Sequence, residues 1–191
     1  HGRGAAVGSA LASILEAAGF AVTCEFYLND AGNQINKFAQ SLEVRYRQAT
    51  GEEVQLPEDG YHGQDLVELM AQLVQQKGDS LLVLPQEQLR AALVAYALPI
   101  KVEAIKRDLE AFGVHFHSWF QESALHPDGI EAAVEKLKAS GYLYEQDQAL
   151  WLRSTDFGDD KDRVVIRDNG VPTYLAADIA YHGDKYQRGY D

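Results

Sequence analysis

Residues 1–50, HGRGAAVGSALASILEAAGFAVTCEFYLNDAGNQINKFAQSLEVRYRQAT, decide the fold class. Val7, Leu11, Ile14 and Ala18 recur at the spacing of one helix face, and Gly19 stands where a helix ends. Phe20 to Leu28 (FAVTCEFYL) is rich in β-branched and aromatic residues and reads as a strand. Asn29-Asp30-Ala31-Gly32 breaks that strand and can cap the next helix, whose apolar stripe is Ile35, Phe38, Leu42 and Tyr46 and which stops near Gly51. Helix, strand, helix is the texture of an open α/β sheet, here without its first strand.

Working outward, Glu52 to Gly63 is a polar loop, followed by a helix with Leu66, Leu69, Met70, Leu73 and Val74 on one face and Gly78 at its end. Pro85 to Phe112 is a second helical block, interrupted or kinked at Pro99. Val114 to Phe120 alternates as a short strand, and Ile130, Val134 and Leu137 mark a third helix that ends at Gly141. Residues 51–141 thus read as a mostly helical insertion. Beyond it, Leu143 to Ser154 predicts a hairpin turning near Gln146-Asp147. Val164–Ile166 and Val171–Thr173 flank Asn169-Gly170, a step that favours a tight primed turn, and Tyr174 opens a helix to about Tyr186.

Composition bounds the function. Of 191 residues 46% are apolar, enough for a core, so the chain is not a disordered acidic tail. A single cysteine, Cys24, cannot form an internal disulfide, which excludes a stapled secreted scaffold. No apolar run approaches the roughly 20 residues of a membrane span. The absence of a signal-peptide pattern makes a reducing, cytoplasmic compartment the expectation. With 17 basic and 29 acidic side chains the net charge is −12, so phosphate backbones should be repelled unless basic help comes from elsewhere. The start, which has no Met and no strand before its glycines, reads as an excised piece of a longer protein.

The N-terminal segment carries the first candidate chemistry. A glycine-rich turn running into a helix gathers backbone N–H groups and the positive end of the helix dipole, which suits a phosphate. On one reading Gly2, Gly4 and Gly8 form a G-x-G-x-x-x-G dinucleotide fingerprint, with Glu25 near the distance of a ribose-binding acid. On the other, His1 donates to an α-phosphate at the helix entrance. The plain alternative is close packing of a glycine-rich first turn.

Whole blocks of the sequence tip this choice. HGRGAAVGSAL (1–11) resembles the start of the active-site helix of arginyl-tRNA synthetases, class I enzymes with a "HIGH" signature, and His1 matches its second histidine. FYLNDAGNQI (26–35), PEDGY (57–61), FGDDKDRV (157–164) and TYLAADIAYH (173–182) resemble further blocks of that family in the same order. The resemblance implies an incomplete Rossmann-like nucleotide-binding fold: 1–50 its first part, 51–141 a helical connective insertion, and 142–191 hairpins and a helix returning to the catalytic fold. It implies activation of arginine by ATP with Mg2+, and transfer of the arginyl group to the 3′ end of tRNA(Arg). Family parts absent here are a tRNA-binding domain, the half-fold with its "KMSKS" loop and the anticodon-binding domain. The resemblance also makes His1 the phosphate-stabilising group, with Gly2 and Gly4 leaving room for ATP.

Tyr174 and Asp178 are four residues apart at a helix start and share a face. A ring and a carboxylate side by side suit a guanidinium, one stacking on its plane and the other accepting its forked donors. In the resembled family these positions hold the arginine side chain. Asn29, Asp30 and Gln34 stand at a strand's C-terminal end, the edge where open α/β sheets bind ligands. They are candidates for the substrate pocket or the tRNA 3′ end, with helix capping as the alternative. Glu122 aligns with an acidic residue of the family that faces the terminal adenosine or substrate, the alternative being a solvated loop glutamate. His115-x-His117 has a metal-like spacing but no third ligand nearby, so no protein-bound metal is expected. A nicotinamide-binding domain and a catalytically inert binding fragment are the rival readings.

Overall fold

The computed structural model describes residues Gly2–Asp191, which fall into two compact units, one ending at Trp119 and the other spanning Phe120–Asp191. The first holds α1 (Gly2–Ala17), β1 (Glu25–Leu28), α2 (Gly32–Ala49), α3 (Gln64–Lys77) and α4 (Gln86–Ala111). β2 (Ser118–Gln121), which starts in that unit, pairs with β1 in a two-stranded sheet. The second unit holds α5 (Asp128–Ala139), β3 (Leu143–Gln146), β4 (Ala149–Leu152), β5 (Arg163–Ile166) and α6 (Tyr174–Gln187). No helix among the described residues is long and apolar enough to cross a membrane.

The core of the first unit is a three-helix packing. Leu42 and Tyr46 of α2, Leu66, Leu69, Met70 and Leu73 of α3, and Leu89, Leu93 and Ala97 of α4 form one buried cluster. Their spacings of three and four are the helical period of the sequence, so periodicity here translates directly into burial. α4 continues through Pro99 as one helix of 26 residues rather than breaking there. Its last buried residue is Ala97, so the proline sits where the helix has already left the core. α1 buries none of its residues: Val7, Leu11 and Ile14 are 69%, 54% and 65% exposed, and the apolar face read from the sequence has no partner among the described residues. β1 is four residues long, not nine, and spans only Glu25–Leu28.

In the second unit β3, β4 and β5 form an antiparallel sheet in that order, with Leu143 opposite Leu152 and Gln146 opposite Ala149. The β3–β4 turn falls where the sequence placed it. Asp147 and Gln148 both adopt positive φ, 52° and 61°, as a two-residue primed turn demands. The Asn169-Gly170 step is different. Only Gly170 has positive φ, 78°, and its N–H donates to Arg167 O at 2.9 Å. The chain therefore turns on three residues, closed by an Arg167 N–H to Val171 O bond of 3.0 Å, and not on the predicted two-residue primed turn. Ile130, Val134, Val165, Ala176, Ala177 and Ala180 are buried in this unit.

Candidate functional site

Helix α6 begins where Thr173 ties it to the sheet. The Thr173 hydroxyl donates to Val164 O at 2.8 Å, and its N–H donates to Val165 O at 2.9 Å. These bonds fix the first turn of α6 against β5. Downstream, Ala176, Ala177, Ala180 and Tyr181 turn inward, and the three alanines let the helix lie close to its neighbours. The opposite face leaves Tyr174, 52% exposed, and Asp178 open to water. The i, i+4 pair read from the sequence is thus presented side by side on a braced helix end, spent on no core contact.

The neighbouring acidic block, FGDDKDRV, has a different use. Asp159 accepts two bonds from Arg163, at 2.7 and 2.6 Å, and the same guanidinium reaches Asp160 at 2.8 Å. Arg163 holds the Asp159 carboxyl far below the usual carboxylate range. Asp162 accepts the Thr155 hydroxyl at 2.8 Å, the Thr155 N–H at 3.1 Å and the Tyr144 hydroxyl at 2.9 Å. Those bonds, the Thr155 hydroxyl foremost, lower its pKa. These acids lock the loop that leads into β5 and α6.

In the first unit, Asn29 and Asp30 follow β1 directly and Gln34 lies in the first turn of α2. Neither Asn29 nor Asp30 occupies the N-cap position. The N-cap of α2 is Ala31, with no side-chain cap bond. Asn29 Oδ1 is buried without a hydrogen-bond partner among the described residues, a cost that an incoming donor would relieve. Gln34 is exposed, and its Oε1 accepts the Tyr61 hydroxyl at 3.0 Å. Tyr61 is the residue that the sequence reading quoted without a role. The crowding of its neighbour Gly60 shows how tightly that loop is seated: a Cβ there would lie 3.0 Å from Pro57 O and 3.1 Å from Ser41 Oγ.

His1 lies outside the described residues. Gly2, Gly4 and Gly8 lie within α1, none has a positive φ, and each leaves open space where a Cβ would stand. The glycine-rich turn expected before the helix is therefore helix from Gly2 onward. This geometry does not favour the dinucleotide fingerprint, whose glycines shape a turn. Glu25 accepts the Ser118 hydroxyl at 2.7 Å. Gly4 and Gly8 face a hollow of about 220 Å³ that Cys24, Glu25, Val114, His115 and Phe116 also line.

Glu122, whose alternative was a solvated loop glutamate, is instead 4% exposed, with His126 Nε2 at 3.4 Å from its carboxylate. His117 Nδ1 accepts the Cys24 N–H at 2.9 Å, which spends that nitrogen on the backbone. Among the described residues no group of three or more His, Cys, Asp or Glu gathers as a metal site.

A family model described as tRNA synthetases class I (R), catalytic domain, matches residues 1–189. The arginine–tRNA ligase of Heliobacterium modesticaldum is 53% identical over 192 positions, which cover 100% of this chain and 34% of that protein. The Moorella thermoacetica ligase is 52% identical with the same coverage. A crystal structure from Campylobacter jejuni, assigned as an arginyl-tRNA synthetase, matches at a TM-score of 0.85 and 36% identity, covering 100% of this chain and 42% of that one. The Thermus thermophilus arginyl-tRNA synthetase matches at a TM-score of 0.59 and 25% identity, over 93% of this chain and 31% of that one. The fold is that of a class I synthetase catalytic domain. The chain belongs to the arginine branch of that class, the tRNA synthetases class I (R) catalytic-domain family, and spans 34% of the length of the curated relatives named above.

Proposed function

We propose that this chain supplies the arginine-recognising part of an arginyl-tRNA synthetase catalytic domain. The parent reaction joins the arginine carboxylate to the α-phosphate of ATP, releasing pyrophosphate, and then passes the acyl group to a ribose hydroxyl at the 3′ end of tRNA(Arg), releasing AMP. Residues 1–50 and 142–191 belong to the catalytic fold in this reading, and 51–141 to its insertion. The observation that carries it is the open face of α6, where Tyr174 and Asp178 stand together with nothing of the core to serve.

In this reading the Tyr174 ring stacks on the guanidinium plane and the Asp178 carboxylate accepts its forked N–H donors. Lysine is rejected because a point-charge ammonium matches neither the plane nor the fork. His1 donates to the α-phosphate, and Gly2 and Gly4 let the nucleotide approach the helix backbone. Asn29, Asp30, Gln34 and Glu122 order the substrate or the tRNA 3′ end. Catalysis rests on positioning and charge stabilisation, with no covalent enzyme intermediate. Magnesium arrives on the phosphates of ATP as part of that substrate. tRNA is gripped mainly by parts of the longer protein, and the compartment is the cytoplasm.

The test is Asp178→Ala in the full-length synthetase. Loss of a charge-assisted fork is worth about 1.5–3 kcal/mol, so kcat/KM for arginine should fall by about tenfold or more. Unchanged arginine kinetics would remove the clamp.

A further inference from the structure

One face of α2 is built to receive the loop that precedes α3. Gln34, Lys37, Phe38 and Ser41, at helical spacings of three and four, each meet a residue of the segment 57–61. Lys37 pairs with Asp59 at 2.7 Å. The Tyr61 ring stands edge-on to Phe38, with centroids 5.8 Å apart and planes at 84°. The buried Ser41 hydroxyl donates to Lys37 O at 2.7 Å and accepts the Tyr61 N–H at 2.9 Å. Gly60 is pressed against Pro57 O and Ser41 Oγ so closely that no side chain fits there without movement.

These contacts fix the body of Tyr61 before its hydroxyl is considered. The hydroxyl then does one thing: it donates to Gln34 Oε1 at 3.0 Å. Gln34 is exposed, and the loop already has its other anchors, so the seating of the loop does not depend on this bond. What the bond changes is the glutamine. A free surface glutamine has several rotamers, and fixing it costs up to about 2 kcal/mol when a ligand must do the ordering. With its oxygen accepting from Tyr61, what the amide has left to offer a ligand is its two N–H donors.

We infer that Tyr61 is a positioning residue, one that pre-sets Gln34 as a double donor for an acceptor oxygen of the substrates. That oxygen belongs to the arginine carboxylate, the nucleotide or the tRNA terminus, and the inference rests on the reading of Gln34 as a substrate-side residue given above. The seated loop thus acts on the pocket edge after β1 through one hydroxyl.

The experiment compares Tyr61→Phe, Gln34→Ala and the double variant in the full-length synthetase, with KM and kcat measured separately for arginine, ATP and tRNA. Phenylalanine keeps the ring against Phe38 and the N–H on Ser41, so the loop stays seated, which a melting curve checks. Gln34→Ala should raise one KM by about tenfold, naming the substrate that owns the oxygen. Tyr61→Phe should raise the same KM by about threefold to tenfold with kcat little changed, and should add nothing in the Gln34→Ala background. If Gln34→Ala raises a KM and Tyr61→Phe leaves it alone, the positioning role is wrong and the reading of Gln34 stands. If both are silent, the reading of Gln34 falls and takes this inference with it. An effect of Tyr61→Phe that persists without the Gln34 side chain, or that appears only as a lowered melting temperature, also overturns it.

Discussion

Glu43 sits in the middle of α2 with 6% of its surface exposed and is held by three side chains. Arg90 Nε lies 2.7 Å from its carboxylate, Arg47 Nε 3.2 Å, and Gln86 Nε2 3.3 Å. Burial pushes its pKa up, while the bonds from Arg90, Gln86 and Arg47 together outweigh burial and leave it below the ordinary value. A carboxyl whose folded pKa is depressed stabilises the fold above its unfolded pKa and loses that contribution as pH falls through the folded one. The melting temperature should therefore drop on acidification from about pH 5 downward, and Glu43→Gln should flatten that drop. Asp159 and Asp162 are held low as well, so only the difference between wild type and variant isolates Glu43. At neutral pH, Glu43→Ala strands Arg90 and Arg47 against the helix pair. Their side chains remain 34% and 29% exposed, so water recovers part of the loss. A destabilisation of about 2–3 kcal/mol, below that of a fully buried pair, is expected by urea titration.

At the scale of elements, the β3–β4 hairpin offers a test in the opposite direction. Gln148 occupies the second turn position with φ of 61°, which costs an L-residue with a long side chain and costs glycine little. Gln148→Gly should raise stability by up to about 1 kcal/mol, measured as a higher melting temperature. A lowered one would mean that the primed turn is not formed. This hairpin was readable because its strands alternate and its turn is local. The three-residue turn at 168–170 was misread because Asn169-Gly170 fits two turn geometries, and the Arg167–Val171 pairing that selects between them is tertiary. Periodicity located α2, α3 and α5 because each buries much of the stripe that the sequence shows. On α1 the same stripe is present and stays exposed, since a pattern records what a helix can bury and not what stands beside it. Pro99 made the reading of α4 an interrupted or kinked block for a local reason that the helix tolerates outside its core-facing half. That Tyr174 and Asp178 share one face of a helix was legible from spacing alone. The Tyr61–Gln34 bond, 27 residues apart in sequence, had no local signal.

For the molecule as a whole, charge limits what it can hold. Seventeen cations against twenty-nine anions leave −12 on 191 residues, and several of the cations are already engaged. Arg163 is forked onto Asp159 and Asp160, Arg90 and Arg47 are bonded to Glu43, Lys37 is paired with Asp59, and Lys101 with Asp65. Binding a phosphate backbone draws its strength from cations that displace condensed counterions, about one for each phosphate neutralised. A surface that presents mostly carboxylates gains little of that release and adds repulsion, so this chain on its own should bind tRNA(Arg) more weakly than about 100 µM even near 50 mM salt. In the proposed reading the arginine clamp is small and specific and needs one guanidinium. The tRNA grip is large and electrostatic, and in the proposed reading it belongs to the rest of the synthetase. A low-salt gel shift distinguishes the two arrangements. Free tRNA throughout a titration to tens of micromolar protein is the expected outcome. A tight, salt-sensitive complex would show that a local basic track on this acidic chain overrides its net charge, and the division of labour between this segment and its parent would have to be redrawn.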